Sequence, residues 1–166
     1  SSRPRGSTPT DRLKGNKKSR AVATLARLFC FSQAMTSPPL RIVDSITELR
    51  PHDAGCVAIS GSHGGISSAQ YALAARPLIA VFNDAGIGKD RAGLAALPFL
   101  QAHGIAACAV RHDSARIGEA RSTLDEGVIG HCNALAEALG ASPGLACSVL
   151  VGRLTAQAAA EKSNAK

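Results

Sequence analysis

Residues 78–90 read LIAVFNDAGIGKD, a short apolar run followed at once by a polar, glycine-rich segment. An uninterrupted apolar run such as 78–82 is typical of a β-strand that is covered on both faces. Two similar stretches flank it, CVAISGSHGG at 56–65 and IAACAVRHDSARIG at 105–118. In each, a strand-like run leads into a loop rich in glycine and chemically active side chains.

Helical patterns separate and follow these runs. One helix is predicted from Ile66 to the residue before Pro77, and a second from an N-cap at Asp90, kinked by Pro98, to Gly104. The sequence TLDE at 123–126 matches a capping box.

Three further stretches complete the pattern. After the capping box, residues 128–139 are predicted to form a third helix. Residues 41–46 are a further strand candidate. Residues 145–162 fit either a strand plus a helix or one long helix.

Strands that alternate with helices over short loops predict an α/β fold with a mainly parallel sheet of four or five strands. Right-handed crossovers would place helices on both faces. We therefore expect a three-layer sandwich of the Rossmann or flavodoxin kind over residues 35–166, as one domain.

The net charge of +7 comes from the N-terminal tail. Residues 1–34 hold eight basic residues and one acid, which leaves 11 of the 19 basic and 11 of the 12 acidic residues for 35–166. A nucleic-acid partner is therefore not expected. No apolar run reaches the roughly 18 residues of a membrane span.

The tail itself has two interpretations. Residues 20–31 form a basic amphipathic pattern that is typical of a transit peptide or a membrane-surface helix. Alternatively, Met35 is the native start and residues 1–34 are an upstream addition. We expect a cytoplasmic protein, with organellar targeting only if the tail is native. The cysteines lack the close pairs that structural zinc needs, so we interpret them as buried, reduced thiols.

The polar loops locate a candidate site. Ligands of open parallel sheets bind at the carboxyl ends of the strands, at a topological switch point, and all three polar loops emerge there. The candidate acid–base residues are His63, Asp84, His112, Asp113 and Ser114. The candidate ligand-binding residues are Ser62, Gly64, Gly65, Asn83, Gly88, Lys89 and Arg116.

Nucleotide-binding motifs are incomplete in these loops. The 61–65 loop lacks GxGxxG because position 63 is His, and a Walker motif would need Ser or Thr where Asp90 stands. What remains are glycine amides and Lys89, which suit a single carboxylate or phosphate. Arg116 would add a bidentate clamp.

Several interpretations of the chemistry stay open. A Ser114–His63–Asp84 triad is conceivable, although no GxSxG elbow supports it. No cofactor is assigned, and a divalent metal would require His and Asp side chains to converge. The leading hypothesis is an enzyme that acts on a compact anionic metabolite as a hydrolase, lyase or isomerase. The alternatives are a non-catalytic ligand-binding or regulatory module and an oligomeric structural subunit, since the Ala-rich helices favour a homo-oligomer.

Overall fold

The computed structural model describes residues 37–163, in which five strands and five α-helices form around one sheet. The strands are β1 (Leu40–Val43), β2 (Val57–His63), β3 (Ile79–Asn83), β4 (Ala106–Val110) and β5 (Ile129–Cys132). The helices are α1 (Ile66–Ala75), α2 (Ala96–Ala102), α3 (Ala120–Asp125), α4 (Ala134–Ala138) and α5 (Cys147–Ser163). Short 3-10 turns at Ile46–Glu48, Pro51–Asp53 and Lys89–Leu94 complete the connections.

The strands lie side by side in chain order, β1 to β5. The first four are parallel, and β5 pairs with β4 in the antiparallel sense. The prediction of an α/β fold with a mainly parallel sheet is therefore confirmed, with five strands.

Helices pack on both faces of this sheet. Alternate residues of each strand point to opposite faces, so each face presents its own set of apolar side chains to the helices. On the first face, small side chains such as Ala58, Ala80 and Ala107 pack with α1 and α2. On the second face, larger side chains such as Ile59 and Val81 pack with α3, α4 and α5. Each fully buried aliphatic side chain contributes roughly 1.5–3 kcal/mol, so both faces stabilise the sheet.

The strand order contains no reversal, unlike the Rossmann order 3-2-1-4-5-6 or the flavodoxin order 2-1-3-4-5. A crevice still arises at the carboxyl edge, because the chain leaves β3 towards helix α2 on the first face and leaves β4 towards helix α3 on the second. The expected switch point is thus absent. In its place, the connections after two neighbouring parallel strands leave towards opposite faces, and we call this point the divergence between β3 and β4.

Residues 111–119, the crossing segment, run across the carboxyl edge from β4 to β1. The amide of Gly118 donates to the Gly61 carbonyl (2.7 Å), and the amide of Ala120 donates to Asp44 Oδ1 (2.9 Å). Gly61 is required at this crossing, because a Cβ there would overlap the backbone at Glu119. The crossing segment therefore lies directly over the strand ends that carry the candidate residues.

The boundaries of some elements differ from the predictions. Strand β2 continues to His63, into the glycine-containing stretch that the sequence pattern indicates as a loop. The helix predicted from Asp90 begins only at Ala96, because Asp90 has a positive φ of 55° and cannot act as a helical N-cap. The helix predicted from Ile66 is confirmed as α1, which ends at Ala75, before Pro77.

The single helix predicted for 128–139 is wrong. Residues 123–126 close α3 instead of capping a new helix, and β5 and the short α4 follow. The buried Asn133 makes this break stable: it caps α4 by accepting from the Ala136 amide (2.9 Å), and it also accepts from the Ala107 amide of β4 (3.1 Å).

From Cys147 onwards, residues 145–162 lie in one long helix, α5, so the interpretation as a strand plus a helix is wrong. Ala146, just before the helix, forms an isolated antiparallel bridge with Val128. Among the described residues, no helix has the length and apolar content that a membrane crossing requires. The predictions for residues 1–34 lie outside the described residues.

Candidate functional site

The centre of the candidate site is the end of β3, where Asn83 and Asp84 are almost completely buried. Asn83 accepts a hydrogen bond from the Ala85 amide (2.8 Å) and donates one to the carbonyl of Ala115 in the crossing segment (3.0 Å). Asn83 therefore fixes the crossing segment above the strand ends, and its polar atoms are engaged within the protein.

Asp84 and His112 form the closest pair of acid–base side chains at this edge. His112 Nδ1 lies 2.9 Å from Asp84 Oδ1, and the same oxygen accepts the amides of His112 (3.0 Å) and Gly86 (2.9 Å). The Asp84 side chain is 4% exposed, whereas that of His112 is 58% exposed. A buried carboxylate thus orients an accessible imidazole.

This pairing determines the imidazole tautomer. Because a carboxylate only accepts hydrogen bonds, Nδ1 of His112 must carry the hydrogen. In the neutral ring, Nε2 then has the free lone pair. An accessible Nε2 held by a buried carboxylate is suited to accept a proton from a ligand or from water.

The remaining residues of the crossing segment have structural contacts. The Ser114 hydroxyl donates to the Arg111 carbonyl (2.8 Å) and accepts from the Val128 amide (2.9 Å), so it holds the turn in place. Asp113 forms an ion pair with Arg111 at the surface, and the hydrogen bond from Arg111 lowers the pKa of Asp113 below its ordinary value. Asp113 is therefore a poor proton donor near neutral pH.

A cavity of about 450 Å³ opens beside His112. Its lining consists of Asn83, Ala85, residues 112–117 and Glu126. The Arg116 side chain is 70% exposed, and its Nη1 lies 3.3 Å from Glu119 Oε2. Glu126 accepts a hydrogen bond from the Ser122 hydroxyl (2.9 Å).

Glu126 was not among the predicted site residues. The sequence offered one signal, the spacing of Ser122 and Glu126 by four residues, which brings two helical side chains together. That spacing was obscured because the capping-box prediction placed a helix start at 123–126.

The loop at the end of β2 lies beside Asn83 but does not line this cavity. The Gly64 amide donates to the Asn83 carbonyl (2.9 Å), and the Gly65 amide donates to His63 Nδ1 (3.1 Å). Ser62 Oγ accepts from the Ile46 amide (2.9 Å). The two glycine amides that were predicted to hold an anion are thus already engaged, and His63 is not hydrogen-bonded to Asp84.

The glycine-rich loop after Asp84 has an unusual backbone. Ala85 and Ile87 have positive φ values of 48° and 68°, and Gly88 adopts 69°. Such conformations are costly for residues with a Cβ, above all for a β-branched one, and they concentrate at functional sites. Lys89 is exposed and follows directly, outside the lining of the cavity beside His112.

The predicted residues therefore separate into two groups. The first group lines the cavity or contacts its lining: Asn83, His112, Asp113, Ser114 and Arg116 line it, and Asp84 is hydrogen-bonded to His112. Ser62, His63, Gly64, Gly65, Gly88 and Lys89 belong to the neighbouring loops. Within residues 37–163, no three His, Cys, Asp or Glu side chains converge as metal ligands would.

Comparisons with protein-family models, with curated proteins and with solved structures give no match. The geometry of the carboxyl edge is therefore the basis for interpreting the site.

Proposed function

We propose that this protein is an enzyme that acts on a compact anionic metabolite by acid–base chemistry, with His112 as the catalytic base. The reaction would be a hydrolase, lyase or isomerase step at the carboxyl edge of the sheet. The observation that carries this proposal is the pair of buried Asp84 and exposed His112, joined at 2.9 Å beside a cavity.

The hydrogen bonds around Asp84 support the proposed role of His112. Three donors converge on one carboxylate oxygen, and two of them belong to His112 itself, its amide and its ring. The ring is therefore held at two points, which reduces the reorganisation needed at the moment of proton transfer. Nε2 would take a proton from the ligand or from an attacking water and return it later in the cycle.

The contacts of Ser114 favour water over a serine nucleophile. Its hydroxyl proton and one lone pair are both used in hydrogen bonds to the backbone. A covalent mechanism would have to break these bonds first. Direct proton transfer, or the activation of a water molecule by His112, needs no such change.

Arg116 is the proposed anchor for the anion. Its only described ionic partner is Glu119, and both side chains are more than half exposed. Surface ion pairs of this kind contribute only about 0–1 kcal/mol. A carboxylate or phosphate can therefore displace Glu119 and gain two parallel hydrogen bonds from the guanidinium. Lys89, on the neighbouring loop, would raise the positive potential at the entrance.

The cavity volume supports a small ligand. At about 450 Å³ it lies near the lower end of the roughly 300–1,000 Å³ typical of ligand pockets. Glu126, which also lines the cavity, would provide a second proton-transfer group besides His112, as acid–base reactions with two proton transfers require.

The proposal is tested by turnover. Purified protein is incubated with a panel of small carboxylates and phosphate monoesters, and products are followed by ¹H and ³¹P NMR. We expect conversion of at least one member, slowed about 10²–10⁴-fold by His112→Gln and by Asp84→Asn, because general-base catalysis contributes about that much.

His52→Gln is the matched control. His52 also lies beside a buried aspartate, with Nε2 3.8 Å from Asp53 Oδ1, but at the opposite edge of the sheet. It should leave the rate unchanged. If both His112→Gln and Asp84→Asn turn over the substrate at the wild-type rate, the proposed mechanism is wrong. Ligand-induced stabilisation without any product would instead favour the binding module.

Three finer expectations remain part of this proposal. In a three-layer Rossmann- or flavodoxin-like sandwich, the ligand binds at the switch point of the sheet. In this protein the ligand would bind in the same way at the divergence between β3 and β4. The protein would be cytoplasmic, and it would assemble as a homo-oligomer through its Ala-rich helices. A divalent metal is not required by the proposed chemistry.

A further inference from the structure

Two cysteines face each other across the antiparallel pair of strands at the edge of the sheet. Cys108 of β4 lies directly opposite Cys132 of β5. Side chains of directly opposite residues project to the same face of a sheet. Both thiols accordingly pack in the core of the second face, where Cys147 of α5 is also buried.

The hydrogen-bond pattern defines the spacing of this pair. The neighbouring residues, Asn133 and Ala107, are joined by a backbone hydrogen bond (2.9 Å). Because the two kinds of pair alternate along an antiparallel ladder, Cys108 and Cys132 form a non-hydrogen-bonded pair. In such pairs the Cα atoms are about 4.5 Å apart. This distance lies within the roughly 4.4–6.8 Å range observed for disulfides.

Access to this pair is through Cys132. Cys108 and Cys147 are fully buried, whereas Cys132 is partly exposed and lines a second cavity of about 960 Å³ near β5 and α2. The Cys132 thiol donates to Glu137 Oε1 (3.7 Å), which provides a nearby acceptor for its proton. A small oxidant can therefore reach one partner of the pair directly.

We propose that Cys108 and Cys132 form an oxidative modification site, in which a hydroperoxide converts the two thiols into a disulfide that links β4 to β5. In the first step the Cys132 sulfur attacks hydrogen peroxide, the O–O bond breaks, and a sulfenic acid and one water form. In the second step the Cys108 sulfur attacks the Cys132 sulfur, the S–O bond breaks, and a second water leaves. Two thiols lose two hydrogens, and one peroxide is reduced to two waters.

The protonation of these thiols determines the rate of the reaction. Burial raises the pKa of Cys132, and the neighbouring Glu137 raises it further. Burial also raises the pKa of Cys108 well above its ordinary value. Because the thiolate is the reacting form, the disulfide should form slowly at neutral pH and faster as the pH rises.

Peptide mapping tests the proposal. The full-length protein is treated with hydrogen peroxide at pH 7 and pH 9, alkylated, and digested without reduction by trypsin and a Glu-specific protease. These enzymes place Cys108, Cys132 and Cys147 on different peptides, 92–111, 127–137 and 138–153. We expect a linked pair of the first two peptides, lighter by two hydrogens than their sum, with several-fold more at pH 9.

Two variants serve as comparisons. Cys132→Ala should abolish the linked pair, and Cys56→Ala should leave its yield unchanged, because Cys56 lies in the core of the opposite face. The wild-type map needs no substitution, so misfolding of a variant does not obscure the result. A link between Cys108 and Cys147, or oxidation of Cys132 to sulfinic acid without any link, would overturn the proposal.

Discussion

Asp84 is the residue on which the proposed chemistry depends. Its position directly after a buried strand was visible in the sequence, and so was the position of His112 after the next strand. The pairing between them was not, because the two residues are 28 positions apart and the sequence equally allowed Asp84 to pair with His63. The strand order allows either partner, because β3 lies between β2 and β4. The connection after β4 decides the partner, because it brings the amide and ring of His112 onto Asp84.

Ser114 illustrates how a side chain suited to catalysis can have a structural role. Ser114→Ala would remove two hydrogen bonds that hold the crossing segment against Val128. We expect a loss of about 1–2 kcal/mol in the free energy of unfolding, measured by urea denaturation, and turnover within a few-fold of wild type. A loss of turnover comparable to that of His112→Gln, in a variant that remains folded, would instead identify Ser114 as a nucleophile.

At the level of elements, the C-terminal end of α1 shows what a residue pattern can and cannot predict. The position of its last residue followed from Pro77, which cannot continue a helix. The sequence did not indicate that Arg76 would adopt the left-handed conformation (φ 53°, ψ 54°) and close the helix through its amide to the Ala72 carbonyl. Glycine usually occupies that position.

Arg76→Gly is therefore expected to stabilise the protein. Relief of the left-handed strain should exceed the entropy cost of glycine and raise the free energy of unfolding by roughly 0.5–1 kcal/mol. Arg121→Gly is the matched control, because Arg121 is an exposed residue in the first turn of α3, where glycine should lower the free energy of unfolding by up to about 1 kcal/mol. Urea denaturation of the two variants should give shifts of opposite sign, and a loss of stability in Arg76→Gly would contradict the assigned conformation.

The region 120–139 shows why short elements are harder to predict. The apolar residues of 128–139 repeat with a helical period, yet they divide into a strand and a one-turn helix. Two long-range contacts override the local pattern: β5 pairs with β4, and buried Asn133 donates to the carbonyls of Leu97 (3.2 Å) and Ile105 (3.0 Å). Neither partner lies within the window that periodicity samples.

At the level of the whole molecule, the alternation of strands and helices was sufficient to predict the fold class and the edge that carries the polar residues. It was not sufficient to predict the strand order, because right-handed crossovers permit each new strand to be added on either side of the sheet. The connection after β4 brings residues 112–117 over the end of β3, whereas the loop of His63 lies beside Asn83 but does not line the cavity. The candidate site is accordingly smaller than the one the sequence suggested.

The tautomers of the five histidine rings test the central claim, the pairing of His112 with Asp84, most directly. Two-dimensional ¹H–¹⁵N spectra of the neutral imidazoles, recorded at alkaline pH, distinguish Nδ1–H from Nε2–H. His63 provides an internal comparison, because its Nδ1 accepts the Gly65 amide and its hydrogen must lie on Nε2. We predict the opposite tautomer, Nδ1–H, for His112. Observation of Nε2–H at His112 would contradict the pairing with Asp84, and with it the proposed base.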